Sequence, residues 1–273
     1  MRMRMAPLAV VAGLLPVVAA ITSVAGKHVN VDEETLALIV VHKRFPLDLI
    51  GAFVEAAGLL SIAAVLVFLW RATSSRRPEV SPAFRILAIA GGVLGAVSSI
   101  GYQVAISVVA HKFVSNGQQT YAEAHHLTGS PLVLGLPIAI LFGDLLLAIA
   151  TVTIALNAMR VGLLPKVMGY LGILSGVLFV FQIGQFGLLI QAGWLCATAY
   201  LFLGRWPSSF PPAWESGTVV PWPSAPKAPP RQPRSRGGGR SKPAPAPAAE
   251  PVTSPATSST RATTPKRKRK RRN

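Results

Sequence analysis

The stretch PLVLGLPIAILFGDLLLAIATVTIAL, residues 131–156, decides the fold. Its 26 residues carry one charge, Asp144. A helix needs about 20 mostly apolar residues to cross the hydrocarbon core of a bilayer, so this stretch predicts a transmembrane helix with room for tilt. Working outward, five more apolar stretches approach or exceed that length: 6–25, 49–70, 86–110, 167–183 and 186–203. The expected fold class is therefore all-α. It is a polytopic bundle of six transmembrane spans within 1–205, followed by a Trp/Pro segment over 206–224 and a disordered, Pro-rich, polybasic tail over 225–273.

The last two stretches are parted only by Gly184 and Gln185. One unbroken helix over 167–203 would overshoot the bilayer by about 25 Å at 1.5 Å rise per residue, so a tight helical hairpin is expected, with Gln182 and Gln185 near its turn. The first stretch has two readings. Met1-Arg2-Met3-Arg4 and Ser23-Val24-Ala25 resemble the basic start and small-residue cleavage site of a signal peptide. The apolar run between them is longer than a usual signal core, which favours a retained helix. Within the spans, Gly91, Gly95 and Ser99, and then Gly172 and Gly176, recur every four residues. This spacing lets helix backbones approach closely in lipid. Pro137 is expected to kink the fourth span.

Only 14% of the 273 residues are charged, against about 25% in soluble domains. Residues 1–203 hold 12 Lys/Arg and 8 Asp/Glu, whereas residues 204–273 hold 15 Lys/Arg and two acids, Glu215 and Glu250. The net +17 is thus mainly a property of the tail and does not mark a nucleic-acid-binding fold. The single cysteine, Cys196, excludes a disulfide framework within the chain and a cysteine-based metal site.

Basic residues orient a membrane bundle by collecting on the cytoplasmic side. With the N-terminus inside, the inner segments hold Arg2, Arg4, Arg71, Arg76, Arg77, Arg85, Arg160 and Lys166, and the outer ones hold Lys27, Lys43, Arg44 and Lys112. Eight against four, with the basic tail added to the eight, predicts both termini in the cytoplasm. Pro165 is pre-organised for a helix start at that face.

Two acids fall inside the predicted spans, Glu55 and Asp144. A charged side chain at mid-bilayer costs about 2.5–3.5 kcal/mol on insertion scales, so each calls for a reason. Asp144 is expected near mid-depth with Ser98, Ser99, Ser175 and Gln191. Glu55 is expected with Gln103 and Gln182, roughly 10 Å away in depth, and no direct carboxylate pair is predicted. Glu55, Asp144, Gln103 and Ser99 are the candidates for a proton, cation or solute pathway. The competing reading of the same residues is interhelical hydrogen bonding that fixes the bundle.

The five histidines, His28, His42, His111, His125 and His126, all fall on the predicted outer side near Asp32, Glu33, Glu34 and Glu123. His125, His126, Glu123 and His111 offer ligand types suited to zinc or copper and define a candidate metal or pH-sensing site, although their spacing matches no defined motif. No nucleophile elbow, metalloprotease helix, paired intramembrane aspartates or phosphate-binding glycine loop occurs in the spans. A non-enzymatic protein without a cofactor is expected.

Trp206, Trp214 and Trp222 recur every eight residues and are expected to form a collar at the membrane–water interface. Residues 225–265 are too poor in large apolar side chains to fold. The terminal Lys266, Arg267, Lys268, Arg269, Lys270, Arg271 and Arg272 suit the anionic inner leaflet, at about 1 kcal/mol per cation. Nucleic acid is the alternative polyanionic partner.

Two segments, Arg160-Val-Gly-Leu-Leu-Pro-Lys166 leading into Gly169-Tyr-Leu-Gly172, and Gly204-Arg-Trp-Pro207 with Pro212-Ala-Trp-Glu215 and Val220-Pro-Trp-Pro223, resemble a group of multi-pass membrane proteins from GC-rich, actinobacterial-type bacteria. Trp70-Arg-Ala-Thr73 with Arg76-Arg-Pro-Glu79 is similar to that group's first inner loop. The resemblance covers 45–224 and implies a six-span bundle in a bacterial inner membrane, with no activity attached. The expected function is a non-enzymatic membrane protein whose tail binds anionic lipid or a polyanionic partner. The alternatives are a small-solute, proton or cation transporter or channel using Asp144 and Glu55, and an outer-face metal or pH sensor.

Overall fold

The computed structural model describes residues 2–24, 34–116, 118–181, 184–206 and 211–220. His28, Asp32, Glu33, Gln182, Trp222 and the whole basic tail, including Lys266–Arg272, lie outside the described residues. The elements are α1 (Arg2–Val24), α2 (Glu34–Ser74), α3 (Ala83–Asn116), α4 (Tyr121–Thr128), α5 (Pro131–Arg160), α6 (Lys166–Val180), α7 (Gly184–Phe202) and the short α8 (Ala213–Ser216). No strand occurs among the described residues. Helices α1, α2, α3 and α5 are long and apolar enough to cross a membrane, and α6 and α7 are apolar but shorter. Large apolar side chains such as Phe53, Val97, Ile138 and Phe142 point outward. A shell of that kind suits lipid rather than water.

These six apolar helices close a ring. Helix α1 packs on α2 and α7, α2 on α3, α3 on α5, α5 on α6, and α6 on α7, while α2 also meets α5. Small residues set the tightest crossings. A Cβ on Gly143 would lie 2.7 Å from the Gly95 nitrogen, and one on Gly91 would lie 2.8 Å from the Gly143 carbonyl oxygen. The Gly91/Gly95 stripe therefore has α5 as its partner, and Asp144 follows directly on the contact glycine. The Gly172/Gly176 stripe admits Ala155 and Val152 of α5, and Gly172 also lies against Trp194 of α7.

The predicted span over 49–70 is the middle of a much longer helix. Helix α2 has 41 residues with Pro46 inside, and so measures about 60 Å. Pro46 cannot donate to the His42 carbonyl. The helix continues because its first half is held by tertiary packing: Leu38 joins Ala105, Ile106, Ala110, Phe113, Ala124 and Val133 in a second apolar core made with α3, α4 and α5. Helix α4 starts on a Thr120 cap, whose hydroxyl accepts from the Glu123 backbone nitrogen while the Glu123 carboxylate accepts from the Gln119 nitrogen. This reciprocal bonding satisfies the Glu123 donor of the first turn and the Gln119 donor just before the helix.

The main core gathers at the other end of the ring, where Leu59, Leu66, Leu69, Ile154, Leu164, Met168, Trp194 and Phe202 are buried together. The arginines and the Trp/Pro segment meet there. Trp214, expected in an interfacial collar, packs against this end of the bundle. Its indole Nε1 donates to the Leu163 carbonyl at 2.8 Å, and its ring stacks on Phe68 and meets Phe202 edge-on. The guanidinium groups of Arg2 and Arg76 lie over the same ring. Arg76 also donates to the carbonyls of Ala72 and Ala213, and burial lowers its pKa. The Val220 nitrogen donates to Val161. Gly162, at φ +80°, leaves room for that approach, since a side chain there would run into the Val220 carbonyl. Trp206 packs on the same core.

Candidate functional site: a carboxylate between two cavities

Between the two apolar cores the ring is hollow. One cavity of about 560 Å³ lies along α2 from Ala37 to Glu55 and is bordered by α1, α3, α5 and α7. A second, of about 240 Å³, lies between Glu55 on α2, Asp144 on α5 and Gln191 on α7. Glu55, Pro16 and Leu188 border both. Pro16 seats against Gly58 of α2, where a Cβ would lie 3.0 Å from its ring.

The Glu55 carboxylate is held from α3. Ser99 Oγ donates to its Oε2 at 2.9 Å, and no basic side chain among the described residues pairs with it. One turn along α3, Gln103 borders the larger cavity, with its Nε2 buried and without a hydrogen-bond partner among the described residues. A buried donor left unpaired costs about 1–3 kcal/mol, so this amide is placed to accept company from whatever fills the space.

Asp144 and Gln191 are 7% and 9% exposed and share the smaller cavity with Glu55. Of the donors expected around Asp144, Ser99 is committed to Glu55, and Ser175 Oγ is buried with no partner among the described residues. Glu55 and Asp144, expected at different depths, border a common void.

Asp48 was not among the sequence candidates. It lies two turns before Glu55 on the same face of α2 and lines the larger cavity. Arg44 pairs with it at 3.3 Å and also donates to the Thr22 carbonyl of α1 at 2.7 Å. The seven-residue spacing of Asp48 and Glu55 carries that shared face, but Asp48 falls just outside the apolar run that defined the span.

The candidate metal set is not gathered. His125 faces Glu34 at 3.4 Å and stacks on Tyr121, His111 lies beside His42 with ring centroids 5.4 Å apart, and Glu123 caps its own helix. His126 is exposed. Among the described residues no three His, Cys, Asp or Glu side chains form a metal-binding group.

No family model, curated protein or solved structure matches this chain.

Proposed function

We propose that this chain is a six-span protein of a bacterial cell membrane, with both termini cytoplasmic, that carries protons or a small cationic solute through the cavities joined at Glu55. The observation that carries this reading is the position of Glu55: a carboxylate without an ion-pair partner among the described residues, bordering two cavities, the second of which also reaches Asp144. An acid retained within an apolar bundle is costly, and a hydrogen bond from one serine would serve a purely structural role with a neutral side chain equally well. The positive-inside pattern gives the orientation. It puts the Trp214 cluster on the cytoplasmic side, so the apolar core there acts as the closed inner gate and the larger cavity extends toward the outer side. The basic tail is proposed, on its charge alone, to hold the inner face to anionic lipid.

The test is proton flux in vesicles reconstituted with the full chain, driven by a potassium diffusion potential and read with an entrapped pH dye. Glu55→Gln and Asp144→Asn are each expected to cut the flux at least tenfold. Flux equal to wild type in both variants refutes transport through these carboxylates.

A further inference from the structure

We infer that the larger cavity binds an organic monocation, with its ammonium group on Glu55 and an apolar body along α2; this rests on the reading of Glu55 as a solute site. Three observations converge. The first is size. About 560 Å³ falls within the range of roughly 300–1,000 Å³ typical of organic-ligand pockets and far exceeds what a bare ion fills. The second is charge. Asp48 is paired with Arg44, whereas Glu55 has no basic partner among the described residues, so Glu55 is the acid of this wall to which a single cationic group can pair. The third is chemistry. Pro16, Ala19, Val41, Ile106, Ile140 and Leu188 form apolar walls; Ser99, Tyr102 and Gln103 of α3 line the cavity with Glu55, while Asp48 and Thr22 line it where Arg44 is bound.

A divalent metal needs six or more oxygen ligands in a close shell, whereas the two carboxylates of this wall, Asp48 and Glu55, stand two helical turns, about 10 Å, apart along α2, and Asp48 is already paired with Arg44. An alkyl- or arylammonium fits it better. Its N–H groups reach Glu55, its body displaces water from the apolar walls, and the Tyr102 ring face suits a cation. Gln103 Nε2, one helical turn from Ser99, stands ready to donate to an acceptor on the ligand about 5 Å from the ammonium.

The experiment uses the full chain in lipid nanodiscs and the fluorescent primary amine dansylcadaverine, with its N-acetylated, uncharged derivative as control. Saturable binding is expected for the amine, at least tenfold tighter than for the acetylated form. Glu55→Gln is expected to weaken it at least tenfold, and Glu55→Asp less than that. Ile140→Trp keeps every polar group, fills the cavity and is expected to abolish binding, with an unchanged circular dichroism spectrum. Equal binding of charged and acetylated dyes, or wild-type affinity in Glu55→Gln, overturns the inference. Competition by millimolar calcium but not by alkylamines also overturns it, in favour of a metal. If proton flux depends on Glu55 while the amine does not bind, the ligand class falls and the transport reading stands. If the amine binds through Glu55 but no flux is found, the ligand class stands and the transport reading falls.

Discussion

Replacing Gly143 by alanine tests the packing that places Asp144. The new Cβ would sit 2.7 Å from the Gly95 nitrogen, 2.9 Å from the Gly95 Cα and 3.1 Å from the Gly91 carbonyl oxygen. Favourable contacts between such atoms fall near 3.5–4.0 Å, and all three are backbone atoms that no rotamer change can move. Helices α3 and α5 must therefore part by about 1 Å. Overpacking of this kind costs roughly 1–3 kcal/mol, and at about 2–4 °C per kcal/mol for a protein of this size the melting temperature should fall by roughly 2–12 °C. Gly135 is the internal control on the same helix, because a Cβ there meets nothing within 4 Å. Gly135→Ala should be neutral or stabilising by up to about 1 kcal/mol through helix propensity. Thermal unfolding of both variants in the same detergent, followed by circular dichroism, separates the two effects. Equal melting temperatures for Gly143→Ala and Gly135→Ala would refute the close α3–α5 crossing and, with it, the placement of Asp144 on the cavity that Glu55 also borders.

Two further outcomes follow from other parts of the fold. Trp214→Ala removes the stack on Phe68, the edge contact with Phe202 and the bond to Leu163. Because this indole is only half buried, the loss should be about half of the roughly 3–5 kcal/mol of a buried aromatic truncation, with faster proteolysis within 205–220 as the readout. Deleting 261–273, which removes eight cations, should abolish binding of a soluble 225–273 fusion to vesicles rich in anionic lipid at low salt, and 0.5 M salt should abolish binding of the intact fusion, since an electrostatic contact is screened.

The apolar runs were legible because a membrane helix must present apolar side chains over its whole length. Helix α2 exceeded its run because His42, Lys43, Arg44 and Pro46 lower hydropathy without ending a helix that α3 and α4 hold in place. Glu55 and Asp144 stood out because an acid among apolar residues is costly. Their common cavity was not legible, since helix rise gives depth along the bundle but not which way each side chain turns around its helix. Asp48 was missed for a related reason. It lies on the Glu55 face but beyond the predicted span, and only the packing of α1 against α2 draws it into the cavity wall. Trp214 was read by its affinity for interfaces. The two arginines and the carbonyl that receive it come from residues 2, 76 and 163, a juxtaposition that no local pattern announces.

The most direct test of the hollow, solute-accessible ring uses the single cysteine of the chain. With Cys196→Ser as background, Ser99→Cys places a thiol beside Glu55 on the cavity wall, and Val97→Cys places one on the outward face of the same helix, where Val97 is 65% exposed. A small cationic methanethiosulfonate reagent is added to the outer side of sealed vesicles, and labelling is counted by mass spectrometry. The account predicts that Ser99→Cys is labelled, that dansylcadaverine slows its labelling, and that Val97→Cys is not labelled because lipid excludes the charged reagent. Labelling of Val97→Cys with Ser99→Cys unreacted would contradict it.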